Sequence, residues 1–252
     1  MIIISTFDDE KKTENKISES ARPSNDLRIF NSSITHEIKA PIRAIDGYAR
    51  IFLEDYSAQI DENGVELIEN IRGICNDTLG LINKLLDYTR FAEMEPIKEP
   101  VDLKNMIQAV FEELVGSYLQ GSSIKLEYES TIPMILTDRF LMKQVITNII
   151  SNSLKFTRGK DPGIITAGYR QEDTVSVFYI KDNGVGFDMK FSEKLFGMFQ
   201  RMHSVDDFEG SGLGLALVKK MIESLGGSVR ITGEVGKGAC TYFTLAPEDI
   251  LK

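Results

Sequence analysis

The feature that most constrains the fold is a pair of long helical stripes in the first third of the chain. Apolar residues recur every three or four positions in two segments, which is the period of a helix that buries one face. The first stripe consists of Leu27, Phe30, Ile34, Ile38, Ile42, Ile45, Tyr48 and Phe52, and the second of Val65, Ile68, Ile71, Cys75, Leu79, Ile82, Leu86 and Thr89. A polar cluster, Asp61 to Gly64, separates them and predicts an antiparallel helical hairpin. Because a lone hairpin leaves much of both stripes exposed, we expect a second copy to complete a four-helix bundle across a dimer axis.

One of the two histidines, His36, lies on the first predicted helix but outside its apolar stripe. It is two residues from both Ile34 and Ile38, which corresponds to about 200° of rotation, so its imidazole is predicted to face solvent. Glu37 could accept a proton from one ring nitrogen while the other attacks an electrophile. Pro41 removes a backbone donor one turn later and predicts a kink. A solvated histidine without a chemical role is the alternative interpretation of these residues alone.

Composition bounds the class of protein. With 252 residues, of which 42% are hydrophobic, the chain can bury one or two ordinary cores. The net charge of −9 argues against nucleic acids and anionic membranes as partners, but not against a local nucleotide site. Cys75 and Cys240 lie far apart without metal-ligand spacing, so we interpret them as small core residues of a protein in a reducing compartment. The apolar start, Met1 to Ile4, is too short to span a membrane, so a soluble, cytoplasmic chain is expected; whether it is part of a longer protein stays open.

Two prolines, Pro96 and Pro100, end the helical region and predict a domain boundary. We predict a leader or linker at residues 1–24, the helical hairpin at 25–93, an interdomain linker at 94–100 and a second domain at 101–252. The second domain shows the periodicities of a helix, a strand, a helix capped by Asp138, two strands, a loop-rich segment, a helix and two strands. This order indicates an α+β domain with helices on one face of a mostly antiparallel sheet.

The second helix of that domain carries three polar residues on one face. Asn148, Asn152 and Lys155 are spaced four and three apart. Amide oxygens are suitable ligands for Mg²⁺ on phosphate oxygens, and the lysine can meet phosphates as a point charge. The alternative is a helix face that only contacts water.

Two glycine-rich turns follow. Asp182 to Gly186 comes directly after a predicted strand, where the carboxylate could accept from an exocyclic amine such as that of adenine and the glycines could let the backbone approach a planar base. Gly210 to Gly214 precedes a predicted helix and offers backbone amides to phosphates. Lys194 to Glu209, between the two turns, is predicted to be a mobile lid. Each turn alone is weak evidence for a nucleotide.

Taken together, these motifs resemble the transmitter region of a sensor histidine kinase, of the type found behind light-sensing or other PAS-like modules. His36 to Pro41 is similar to the H box, Asn148 to Thr157 to the N box, Asp182 to Gly186 to the G1 box, Phe196 to Arg201 to the F box, and Gly210 to Gly214 to the G2 box. The five motifs stand in the family order and cover about residues 27–247. The resemblance implies a dimeric helical hairpin followed by a two-layer α+β sandwich, the Bergerat fold of histidine kinase, gyrase and Hsp90 ATPases.

The resemblance also implies an activity and its residues. A protein-histidine kinase would phosphorylate its own His36 from ATP with Glu37 as general base, then pass the phosphoryl group to an aspartate of a response-regulator receiver domain, under an upstream sensor domain or partner. Mg²⁺ would be held by Asn152 with help from Asn148, Lys155 would contact phosphate, and Asp182 would bind the adenine amine. The other residues implied at the nucleotide site are Gly184, Gly186, Phe199, Arg201, Gly210, Gly212, Leu213 and Gly214.

Two rival classes compete with this interpretation. A gyrase-like or chaperone-like ATPase would explain the second domain, but the His36-Glu37 helix pair and the Asn at position 148 speak against it. A non-catalytic dimerisation scaffold would be free to lose Asn152 or Asp182, yet both are present. Both rivals predict ATP binding or dimerisation without phosphorylation of His36.

Ala40 is a departure from the family pattern. Kinases of this class that also dephosphorylate their regulator usually carry Thr or Asn four residues after the histidine, to orient the attacking water. The alanine therefore predicts weak regulator-phosphatase activity.

Overall fold

A computed structural model describes residues 25–91, 94–118, 123–172, 175–200 and 210–251 of the chain, without the side chains of residues 25–35, 117, 118 and 193. The chain divides into two compact units, one up to Leu86 and the other from Asp87. The predicted leader, residues 1–24, lies outside the described residues, as does most of the predicted lid.

The first unit contains the first helix and most of the second helix of the predicted hairpin. Helix α1 spans Asn25–Tyr56 and continues through Pro41, and helix α2 spans Glu62–Phe91. A single 3₁₀ turn, Ser57–Gln59, follows α1. The Asp61 carboxylate accepts a hydrogen bond of 2.8 Å from the backbone N–H of Gly64, which satisfies one donor of the first turn of α2. The predicted turn at Asp61 to Gly64 is therefore mostly the first turn of the helix.

Polar side-chain contacts join α1 and α2 in the described part of the hairpin. Arg72 Nε donates to Asp46 Oδ1 over 3.0 Å, and Lys39 Nζ donates to Asn83 Oδ1 over 2.6 Å. Much of the apolar surface of the hairpin is exposed in the single chain. Its large exposed residues include Ile38, Ile45, Tyr48, Ile51, Phe52, Leu67, Ile71 and Ile74. The exposure predicted for a lone hairpin is thus observed.

The second unit is a five-stranded sheet with helices on one face. Its elements are β1 Glu99–Val101, α3 Leu103–Tyr118, β2 Ile124–Tyr128, β3 Ile135–Thr137, α4 Arg139–Thr157, β4 Gly163–Glu172, β5 Val175–Asp182, a 3₁₀ helix Met189–Phe196, α5 Gly214–Ser224, β6 Val229–Glu234, β7 Gly238–Thr244 and a 3₁₀ helix Pro247–Asp249. The strand order is β2-β4-β5-β7-β6, with β2 and β4 parallel and the other pairs antiparallel. The predicted α+β class is confirmed.

The core lies between the sheet and the helices. Helix α4 buries apolar residues spaced by three or four, among them Leu141, Val145 and Ile149, as its period predicts. Phe178 of β5 and Phe243 of β7 stack at 5.3 Å between ring centroids on the sheet face that α4 covers. Burying each aromatic side chain contributes on the order of 1.5–3 kcal/mol to the free energy of folding. The packing of α4 on this face of the sheet is therefore a main source of the stability of the domain.

The short elements of the described chain, strands β1 and β3 and the 3₁₀ helices, were not predicted. Strands β1 and β3 pair antiparallel as a separate two-stranded sheet, and three residues each are too few to show a period. The segment read as loop from Asn183 to Gly212 contains the 3₁₀ helix Met189–Phe196, which begins where Asp188 Oδ1 accepts from the Lys190 N–H at 3.0 Å. The predicted cap of α4 is confirmed, because Asp138 Oδ1 accepts from the Leu141 N–H at 3.0 Å.

Candidate functional site

His36 and Glu37 both lie exposed on α1 of the first unit. The exposure of His36 agrees with its predicted position off the apolar stripe. One turn later, Lys39 is tied to Asn83 of α2. The imidazole of His36 is therefore exposed to solvent, and α1 contacts α2 one turn further along through Lys39 and Asn83.

In the second unit, α4 presents two amide groups to the start of α5. A Cβ added to Gly214 would lie 3.2 Å from Asn148 Oδ1 and 3.8 Å from Asn152 Nδ2. The Asn148 amide nitrogen donates to the Gln144 carbonyl at 2.8 Å, which orients Oδ1 as the acceptor on the α5 side. Two amide groups and the positive end of a helix therefore meet in one place.

Lys155 brings a positive charge to the same place. Its ammonium lies 4.3 Å from the centre of the Phe156 ring, and a Cβ on Gly210 would come within 3.0 Å of Nζ. Gly210 has a φ of +144°, a conformation that favours glycine. Because backbone N–H groups at a helix start also attract anions, the arrangement suits a polyphosphate.

Asp182, the last residue of β5, is buried. Its Oδ1 accepts hydrogen bonds from the backbone N–H groups of Gly184 at 2.9 Å and Ala239 at 3.2 Å. Burial raises the pKa of this carboxyl above its usual range, opposed by these two bonds and by a hydrogen bond from the Ser153 side chain. The result is a fixed, partly desolvated acceptor, which suits a single directional contact.

The glycines beside Asp182 are required by packing within the protein. A Cβ on Gly184 would lie 2.4 Å from the Phe156 carbonyl oxygen, which also accepts from the Val185 N–H at 3.0 Å. Gly186 has a φ of +63°, and its Cβ would meet the Glu234 carbonyl oxygen at 1.9 Å. The sequence pointed to these glycines for the approach of a base; the structure adds a steric reason of its own.

The remaining predicted residues that the structure describes lie at or near the second glycine turn. Gly212 has a φ of +69°, and its Cβ would meet the Gln200 carbonyl oxygen at 2.8 Å. Phe199 also has a positive φ, +61°, and is 52% exposed. Leu213 is fully buried, which indicates that it packs beneath the turn. Arg201 lies outside the described residues.

Helix α4 is thus the common support of the predicted nucleotide residues of the second unit. It carries the two asparagines and Lys155, contacts the G2 turn through these side chains, and holds the G1 turn through Phe156 and Ser153. His36 and Glu37 belong to the other unit.

The motifs missed two residues that shape this site. Ser153 lies on the mostly apolar buried side of α4, and its side chain is among the groups that favour the ionised form of Asp182. Gly238 has a φ of +105°, and its Cβ would lie 1.9 Å from the Asp182 carbonyl oxygen. Gly238 was recognisable as a turn residue, but its contact with Asp182 was not.

Comparison with known proteins gives two family matches. Residues 26–93 match the His Kinase A (phospho-acceptor) domain, and residues 137–249 match the Histidine kinase-, DNA gyrase B-, and HSP90-like ATPase family. None of the helices in the described ranges combines the length and the apolar character needed to cross a bilayer.

Similar curated proteins include the phytochrome-like protein Cph1 of Synechocystis, 32% identical over 232 residues, and the aerobic respiration control sensor protein ArcB of Escherichia coli, 29% identical over 234. Each alignment covers 89% of this chain, but only 30% of Cph1 and 29% of ArcB. The chain therefore spans about a third of the length of these relatives.

Among solved structures, full-length ShkA in complex with AMPPNP matches with a TM-score of 0.65 and 25% identity, over 86% of this chain and 46% of that one. The histidine kinase AdeS of Acinetobacter baumannii matches with a TM-score of 0.58 and 19% identity, over 85% of this chain and 98% of that one, a likeness of fold.

The fold and the two family matches define a phospho-acceptor helical domain followed by an ATP-binding domain. The chain belongs to the sensor histidine kinases, as their transmitter region. The resemblance drawn from the motifs is confirmed. A gyrase-like or chaperone-like ATPase would not account for the phospho-acceptor match over residues 26–93.

Proposed function

We propose that this chain transfers the γ-phosphoryl group of ATP to His36 and then to an aspartate of a response-regulator receiver domain. The observation that carries the proposal is the convergence on α4 of two amides, a lysine, a helix start and a buried carboxylate. The second unit thereby offers partners for both ends of a nucleotide, and the first unit offers an exposed imidazole.

In this proposal the nucleotide lies between the two glycine turns. Asp182 accepts from the exocyclic amine of adenine, and Lys155 and the start of α5 meet the phosphates. Asn152 and Asn148 hold Mg²⁺, for which amide oxygens beside phosphate oxygens are a fitting ligand set. The cation, when bound, offsets phosphate charge.

The chemical step is an in-line displacement at the γ-phosphorus. One imidazole nitrogen of His36 forms the N–P bond while the bond from phosphorus to the ADP oxygen breaks. Glu37 accepts the proton from the other ring nitrogen, which keeps the phosphorylated ring neutral. The phosphoryl group then passes to the receiver aspartate, which restores the imidazole.

We also propose that the active form is a homodimer. The apolar residues exposed on the hairpin support a second copy packed along both stripes, because burial of such a surface favours association. Sedimentation velocity checks the proposal, since a concentration-independent monomer at micromolar protein would contradict it. We further propose that an upstream sensor domain or partner controls the kinase, since the similar ArcB of Escherichia coli is named a control sensor protein.

The direct test is incubation with γ-labelled ATP and Mg²⁺. We expect acid-labile, alkali-stable label on the wild type and none on His36→Gln, which should still bind ATP. Asp182→Asn serves as the second control, because it should lose both ATP binding and label. Label of unchanged intensity in His36→Gln would contradict the proposed acceptor, and absence of ATP binding in the wild type would contradict the proposed nucleotide site.

A further inference from the structure

Asn183 lies in the first glycine turn, Asp182 to Gly186, but the motifs assign it no contact with the nucleotide. Its side chain is half-buried and hydrogen-bonds the chain around the start of β4. Oδ1 accepts from the backbone N–H of Ile164 at 2.9 Å, and Nδ2 donates to the Pro162 carbonyl at 3.0 Å. The N–H of Asn183 also donates to the Ile164 carbonyl, at 3.1 Å. Three hydrogen bonds therefore join this one residue to residues 162–164.

The position of Asn183 links these bonds to the Asp182 carboxylate. Asp182 Oδ1 accepts from the N–H of Gly184, two residues later, at 2.9 Å, so a local turn closes around Asn183. The Gly184 N–H belongs to the planar peptide that follows Asn183, so its direction depends on the backbone dihedral angles of Asn183. Fixing Asn183 therefore fixes a donor that orients the carboxylate.

The two partners of the Asn183 side chain require a primary amide. The backbone N–H of Ile164 can only donate and the Pro162 carbonyl can only accept, which sets the orientation of the amide. Asparagine provides an acceptor and a donor on one short planar group, whereas alanine provides neither. Both partners are uncharged backbone groups, so these contacts act through geometry.

Backbone hydrogen bonds hold the rest of the turn. The Val185 N–H donates to the Phe156 carbonyl on α4 at 3.0 Å, and the Val185 carbonyl accepts from the Gly236 N–H, between β6 and β7, at 2.7 Å. Neither bond involves the side chain of Asn183. Removing that side chain should therefore loosen the turn around Asp182 without unfolding the domain.

We infer that Asn183 is a positioning residue for nucleotide recognition: its amide holds the first glycine turn against residues 162–164 and thereby directs the Asp182 carboxylate toward the exocyclic amine of adenine. This inference rests on the proposed function, since it assumes that Asp182 accepts from ATP. Asn183 acts through the turn and contacts no atom of the nucleotide in this account.

The test compares ATP with purine riboside triphosphate, which lacks the exocyclic amine. Titration calorimetry of the full chain should show that Asn183→Ala lowers the affinity for ATP about tenfold, which corresponds to one hydrogen bond to a charged group. The affinity for the analogue should fall by less than about twofold, because its phosphates are bound by other residues. A role in stability alone would lower the two affinities equally.

Ser130→Ala is the matched control. Ser130 Oγ donates to the Tyr169 carbonyl at 2.8 Å and accepts from the Tyr169 N–H at 2.7 Å, so its removal also deletes one donated and one accepted bond to the backbone at β4. Tyr169 pairs with Phe178, four residues before Asp182 on β5. The control should lower the melting temperature to a similar degree as Asn183→Ala and keep the wild-type ratio of ATP to analogue affinity.

Asn183→Ser provides a second measurement. Its shorter hydroxyl can satisfy only one of the two backbone groups, so the ratio of ATP to analogue affinity should lie between those of the wild type and Asn183→Ala. This variant decides the question should the alanine variant fail to show a cooperative thermal transition. A wild-type ratio in a folded Asn183→Ser would then contradict the positioning role.

Equal losses for ATP and the analogue in Asn183→Ala, or no loss for either, would overturn the inference while leaving the proposed function intact. The same holds for a change of ratio in Ser130→Ala as large as in Asn183→Ala, because the effect would then come from a general loosening of β4. A wild-type chain that binds the analogue as tightly as ATP would overturn the role given to Asp182, and with it the inference.

Discussion

Replacing Gly214 by alanine separates the stability of the ATP-binding domain from its proposed function. Gly214 is the first residue of α5 and does not have a positive φ, so its backbone accepts an alanine without strain. The new methyl would lie 3.2 Å from Asn148 Oδ1 and 3.8 Å from Asn152 Nδ2. That space is where we place the Mg²⁺ and phosphate oxygens.

The two effects of Gly214→Ala have opposite signs. Alanine is favoured over glycine in a helix by up to about 1 kcal/mol, and by less in the first turn, so the free energy of unfolding should stay level or rise slightly. The methyl crowds the two amides, and the loss of one charge-assisted contact should lower the affinity for Mg·ATP by about 1.5–3 kcal/mol, tenfold or more. The loss should be smaller for ATP without Mg²⁺.

Titration calorimetry and thermal unfolding of the full chain measure both effects. The matched control is Gly116→Ala in α3, where an added Cβ meets nothing within 4 Å. The control should gain stability in the same way and keep its affinity for Mg·ATP. Unchanged Mg·ATP affinity in Gly214→Ala would refute the placement of the phosphates between α4 and α5.

Three further variants test the buried carboxylate, a packed glycine and the residue four positions after His36. Asp182→Asn should abolish tight ATP binding yet hold or raise the melting temperature of the ligand-free chain at neutral pH. Burial raises the folded-state pKa of Asp182 above its ordinary value of 3.8. As the pH rises from 3.8 through the folded-state pKa, ionisation of this carboxyl therefore lowers the free energy of unfolding of the wild type. Below pH 3.8 the carboxyl is protonated in both states, so melting scans should show no benefit of the variant there. Gly186→Ala should unfold at a lower urea concentration than Gly159→Ala. Both glycines have a positive φ, which costs an alanine about 1–2 kcal/mol. Only at Gly186 would the added Cβ also clash with the Glu234 carbonyl oxygen, at 1.9 Å, whereas at Gly159 it meets nothing within 4 Å. Ala40→Thr should increase the Mg²⁺-dependent loss of label from a phosphorylated regulator, and brisk loss already in the wild type would contradict the weak phosphatase activity inferred at Ala40.

Local signals in the sequence predicted much of this fold. The two stripes gave α1 and α2, and the Asp138 cap gave the start of α4, because helix periods and caps depend on residues within a few positions. The spacing of Asn148, Asn152 and Lys155 likewise placed them on one face. The three-residue strands β1 and β3 carry too few positions for any such signal.

The contacts between distant segments could not be predicted in the same way. Ala239 lies 57 residues after Asp182, and nothing local to either residue indicates that a backbone N–H of β7 caps the end of β5. The packing around the glycines could not be predicted from the sequence either. The sequence marked Gly186 as a site residue, but only the strand pairing shows that the Glu234 carbonyl leaves no room for a side chain there.

Two faces of α4 support the two ends of the proposed nucleotide site. On one face Asn152 meets the start of α5, and on the adjacent face Ser153 meets Asp182 at the end of β5. These neighbours are separated by a helical rise of about 1.5 Å and a rotation of about 100°. The relative position of the proposed metal ligands and of the proposed adenine acceptor is therefore set by one element, which is capped at Asp138 and packed on the sheet.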